Sequence, residues 1–145
     1  MSIAAQIGLL FAEEDEKLTR ELCMHFAGMR RSGQVELIGS PASNSRLEQD
    51  DITSLDILLV LISQDFIAND FLVEMALYAD RIKDQHQRIV PIVLRDVDWE
   101  RDLPRIGAKV ALPRNGKSVA RQNRDEAFTE IAREIRSVIE RHYAH

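Results

Sequence analysis

The chain has 145 residues, a length that buries one core and rarely two, with 45% hydrophobic and 30% charged residues and a formal net charge of -5. This balance excludes a disordered chain, and an acidic total without a basic run leaves no footprint for a phosphate backbone, so nucleic acid is not the expected partner. One cysteine, Cys23, excludes an internal disulfide; with no signal-type start and no apolar run long enough for a bilayer, the expectation is a single cytoplasmic domain over residues 1–145 with no membrane role.

In chain order, Gln6 to Phe11 predicts a buried strand that stops at Ala12-Glu13-Glu14-Asp15-Glu16, where carboxylates suit a first helical turn. Leu18, Leu22, Phe26 and Met29 recur at helical spacing, and Arg30, Arg31 and Gly33 supply the stop. Val35 to Ile38 predicts a second strand, Gly39 to Ser45 a loop, and Arg46 to Ser54 a short helix. Asp56 to Ile62 holds six aliphatic residues in a row, the pattern of a parallel strand buried on both faces. A helix from about Asp70 to Asp84 follows, with Asn69 as N-cap and Leu72, Met75, Ala76, Ala79 and Ile82 on its core face. Ile89 to Leu94 predicts another buried strand, with Pro91 irregular in it, and a short edge strand is expected around Lys109 to Leu112. Pro113 to Gln122 is a polar, basic loop. Asn123 and Glu126 suit a capping box for a last helix striped by Ala127, Phe128, Ile131, Ile135, Val138 and Ile139.

Strands alternating with helices require right-handed crossovers and a mainly parallel sheet, here of five strands with helices on both faces. Ligands of such sheets bind beyond the C-terminal strand ends, which points to Phe11–Asp15, Gly39–Ser45 and Ser63–Glu74. A phosphoacceptor receiver would need an aspartate where Ser63 stands and a lysine for which only Lys109 is available, and a flavodoxin would need a hydroxyl-rich phosphate loop where Ala12 to Glu16 would repel phosphate. No spacing among His25, His86, His142 and His145 suits a metal, and Cys23 has no partner base in a recognisable motif.

The run Asp56 to Ser63, then Gln64-Asp65-Phe66-Ile67-Ala68-Asn69-Asp70-Phe71 and Glu74-Met75, resembles the bacterial-type TIR (Toll/interleukin-1 receptor) domains. The likeness continues through Arg88 to Arg95, Asp98-Trp99, Leu112 to Lys117 and Asn123 to Phe128, and Phe11 to Leu18 is similar to the family's first strand end and helix opening. It implies a flavodoxin-like, doubly wound fold and a signalling module that self-associates through TIR–TIR contacts, in bacterial signalling or antiviral defence. Such a module is often the N-terminal effector of a longer protein with a sensor or ATPase part.

The alternative that the resemblance implies is an assembly-activated NAD+ glycohydrolase, with NAD+ as substrate and no resident cofactor or metal. Glu74 matches the catalytic glutamate of the active relatives, and a carboxylate there would stabilise the oxocarbenium-like transition state of nicotinamide–ribose cleavage. Phe11, Ala12, Ser63, Phe66, Asn69 and Phe71 are the implied substrate-binding set. On their residue types alone, Glu74 also reads as a solvated helix carboxylate, Ser63 and Asn69 as helix caps, and Phe66 and Phe71 as core or wall. Three features depart from the active pattern: Leu10 and Phe11 stand where a serine beside an aromatic is usual, only Gly39 to Leu55 remains for the second loop and helix, and the stretch between Asp70 and Glu74 is shorter than in many relatives.

Overall fold

Ile57–Ile62, the aliphatic run ILLVLI, is a strand buried at every position, as its lack of polar alternation requires. In the computed structural model, which describes residues 4–43, 46–103, 106 and 111–143, this strand (β3) lies inside a four-stranded, all-parallel sheet. Its companions are β1 (Ala5–Leu10), β2 (Val35–Ile38) and β4 (Arg88–Val93), in the order β2-β1-β3-β4. The order runs outward from β1 in one direction and then from β3 in the other. The topological switch therefore lies between β1 and β3, which pair with Ile7 opposite Ile57 and Leu10 opposite Val60.

Alternate residues of the central strands face opposite layers. Ile7, Leu9, Ile57, Leu59, Leu61, Val90 and Ile92 enter a core closed by α1 (Glu16–Met24), α2 (Ala27–Arg31) and α5 (Arg124–Tyr143). Leu10, Leu58, Val60 and Ile62 face a second core under α3 (Gln64–Ile67), α4 (Asp70–Ile82) and a 3-10 helix at Gln49–Ser54. Helices therefore cover both faces, and no helix among the described residues is long and apolar enough to cross a membrane.

Where the sequence suggests one first helix, the chain makes two. His25 and Phe26 donate their N–H groups three residues back, to Leu22 and Cys23, which tightens the turn and ends α1. Leu18, Leu22, Phe26 and Met29 stay buried across the joint, so the apolar spacing does not register it. The expected short helix at Arg46–Ser54 is a 3-10 helix beginning at Gln49. α4 ends at Ile82, two residues before the expected stop.

Among the described residues four strands are found, against an expected five. The expected edge strand around Lys109 to Leu112 falls largely outside them, but its described end, Leu112, makes an isolated parallel bridge with Ile92. Leu112 donates to the Pro91 carbonyl and accepts from the Val93 N–H, both at 2.9 Å. Pro91 therefore points its hydrogen-bonding side away from β3, and the N–H it lacks is not missed in the β3–β4 ladder.

Candidate functional site

Three segments leave the C-terminal strand ends together. The first, after β1, carries Phe11, the buried Ala12 and a 3-10 turn at Glu13–Asp15. The second, after β2, begins at Gly39, whose φ of +77° is a conformation glycine adopts without penalty. A β-carbon at Gly39 would meet the Leu47 side chain at 2.9 Å, so this loop is held tightly on the second core. The third, after β3, is the α3–α4 hairpin. Its joint is capped by Asn69, whose Oδ1 accepts the Leu72 N–H at 3.2 Å.

Beneath these segments lies a polar network that joins three strand ends. The Asp15 carboxylate is fully buried; it accepts the Ser63 hydroxyl through Oδ2 and the Arg95 Nε–H through Oδ1 at 3.1 Å. Ser63 Oγ in turn accepts the Phe66 N–H at 3.1 Å and so caps α3. One carboxylate thus ties the segment after β1 to those after β3 and β4, and it is spent on that task. Neither Asp15 nor Ser63 is accessible to a ligand.

Above the network is an open cleft of about 390 Å³. Phe11, Asn69 and Phe71 from the expected set line it, together with Ser40 and Pro41 from the second segment. The other three expected residues are elsewhere: Ala12, Ser63 and Phe66 are buried. Glu74 is exposed on α4, away from the Leu72, Met75, Ala76 and Ala79 stripe, as helical spacing predicts. It lines an adjoining cavity of about 380 Å³ with Gln49, Tyr78 and Arg81, and Phe71 forms a wall of both spaces.

The cleft is acidic. Glu13, Glu14 and Glu16 line it with Arg46, a formal balance of -2 among the lining residues from three carboxylates and one cation, and Glu16 also pairs with Arg20 at 3.4 Å. Arg46 sits 3.6 Å from Glu13 with both side chains in solvent, where an ion pair contributes little. Among the described residues two large apolar side chains are exposed, Phe71 at 56% and Met24 at 72%.

The remaining candidates from the sequence are structural. His25 packs its ring against Phe128 with centroids 5.9 Å apart, and among the described residues no group of His, Cys, Asp and Glu is placed to hold a metal. Burial pushes the Cys23 thiol up to about 11, against a weaker pull from Arg30 and Arg20, so it is a protonated packing group. Three arginines in and next to the basic loop are paired: Arg114 with Glu134, Arg121 with Asp96, and Arg124, at the start of α5, with Glu21 at 2.9 to 3.2 Å.

Sequence reading located the three segments but missed the Asp15–Ser63–Arg95 network and the placement of Ser40. The network spans 48 and 80 residues, a separation with no local signal. No family model matches the chain. Over 134 aligned residues, 87% of its length, the chain is 32% identical to the uncharacterized protein y4lF of Sinorhizobium fredii, and it spans 41% of that protein's length.

Proposed function

We propose that this chain is a TIR-like interaction module of flavodoxin-like, doubly wound architecture, whose sheet gains a fifth strand running into Leu112. In this reading it self-associates to transmit a signal, in bacterial signalling or defence, and works beside a sensor or ATPase part. The reading draws on the resemblance from Asp56 onward and on the parallel sheet with helices on both faces. The observation that favours interaction over catalysis is charge. A dinucleotide brings two phosphates to a cleft where Glu13, Glu14 and Glu16 outnumber the one lining guanidinium, Arg46, and the N-terminus of α4 at Asn69 offsets that excess only in part.

A second reading, the NAD+ glycohydrolase with Glu74 as catalytic carboxylate, has one specific observation behind it. Glu74 is exposed in a cavity that shares the Phe71 wall with the strand-end cleft, so a ligand lying across Phe71 would reach both. Sedimentation velocity over a hundredfold concentration range tests the first reading, with a concentration-dependent oligomer expected and a strict monomer overturning it. Clustered protein incubated with NAD+ tests the second. Nicotinamide release that is lost in Glu74→Ala would establish the enzyme, and no release in the clustered state would leave the interaction reading alone.

A further inference from the structure

We propose that the strand-end cleft is a binding site for a small organic cation: a primary ammonium group carried on an aromatic or branched apolar body. The inference is independent of self-association and goes beyond it. Four features converge on this chemistry. The cleft's volume of about 390 Å³ lies within the range of small-molecule sites, about 300–1,000 Å³. Two of its walls are aromatic, Phe11 and Phe71, and the Phe71 ring stands 56% exposed with no core to fill. Phenyl faces attract cations and hold apolar bodies alike.

Glu13, Glu14 and Glu16 supply the charge selectivity: Glu13 pairs with Arg46 and Glu16 with Arg20, both loosely and in solvent, so an anionic excess centred on Glu14 admits an ammonium and opposes phosphate or carboxylate. The fourth feature does not depend on charge. Ser40 lines the cleft, is only 8% exposed, and its hydroxyl has no hydrogen-bond partner among the described residues. The residue is packed in place, yet its hydroxyl is not sealed off, so it is free to meet a polar group of a ligand in the cleft. An ammonium donates three hydrogen bonds, one to Ser40 Oγ and the others to the carboxylates, while its apolar body lies between the rings. The three strand-end segments thus each contribute a different part: charge and one ring after β1, the hydroxyl after β2, and the second ring after β3.

The test uses phenethylamine and its neutral isostere 2-phenylethanol, titrated into the whole chain and followed by two-dimensional amide NMR. Phenethylammonium is expected to shift the Ser40 and Phe71 amides saturably and to bind at least about tenfold more tightly than the alcohol, a preference equal to one charge-assisted contact. The phenethyltrimethylammonium ion, which cannot donate to Ser40, is expected to bind more weakly. Ser40→Ala should erase that difference, and the Glu13→Gln, Glu14→Gln, Glu16→Gln variant should erase the preference over the alcohol. Phe71→Ala, a substitution at an exposed site that leaves the core untouched, should weaken all three ligands. Equal binding of amine and alcohol, shifts spread over the acidic surface without saturation, or NAD+ binding at the same amides would each overturn the proposal. Sedimentation in the same buffer reports self-association separately, so the failure of either idea is visible without the other.

Discussion

Asp15 shows how one side chain can hold the functional end of the molecule without touching a ligand. Its carboxylate is buried, and both oxygens are engaged, one by Ser63 and one by Arg95, whose side chain is 48% exposed. Asp15→Ala removes both acceptors at once and leaves the Ser63 hydroxyl enclosed without one; we expect a loss of about 2–4 kcal/mol in urea unfolding. Ser63→Ala should cost less, and the double substitution should cost less than the sum, because both act on one network. Cys23 gives a second residue-scale expectation. Its thiol, raised from 9.0 to about 11 by burial, is neutral when folded, so alkylation near neutral pH should be about 100-fold slower than in urea. Stability from this group is complete below pH 9.0 and falls as pH rises through about 11, because the unfolded chain ionises first. An alkylation rate equal in folded and unfolded protein would contradict the burial argument.

At the scale of elements, the loop after β2 is the one whose conformation depends on a single residue. Gly39 has a positive φ, and a β-carbon added there would meet Leu47 side chain and backbone, so Gly39→Ala meets both a backbone penalty and a contact with no room to relax. The expected cost is about 1–3 kcal/mol, read as a lowered urea midpoint with an unchanged slope. Gly116 also has a positive φ, at +79°, but an added β-carbon there meets nothing. Gly116→Ala should therefore cost less than Gly39→Ala, and the reverse order would mean that contact with Leu47 is not what holds the loop. The start of the last helix was readable in the sequence, since Asn123 Oδ1 accepts the Glu126 N–H at 2.9 Å. The division of the first helix was not readable, because both halves bury the same stripe.

For the whole molecule, stability rests on two apolar layers and very little on surface charge. The ion pairs that connect distant elements, such as Arg124–Glu21 and Arg121–Asp96, are exposed enough that each contributes about 0–1 kcal/mol. Raising sodium chloride from 0.05 to 0.5 M should therefore shift the unfolding temperature by no more than about 3 °C. Ammonium binding in the cleft should weaken markedly over the same range. A large salt effect on unfolding would mean that the surface pairs carry more of the fold than two buried cores suggest.

The sequence by itself determined the layers: which runs are strands, which helical faces are apolar, that the sheet is parallel, and which three segments sit at the C-terminal strand ends. These follow from periodicity and connection length, which are local properties. The roles of Ser63, Asn69 and Phe66 were also within reach, since a serine or asparagine before an apolar helix caps it, and a phenylalanine on a helical stripe is core. Only the tertiary structure decided that Asp15 is committed to Ser63 and Arg95, that Ser40 and Phe71 line one cleft, and that Glu74 belongs to the next cavity. Those facts depend on how loops 48 or 80 residues apart meet above the sheet, and the free energy of that meeting lies in packing and desolvation that no local pattern records.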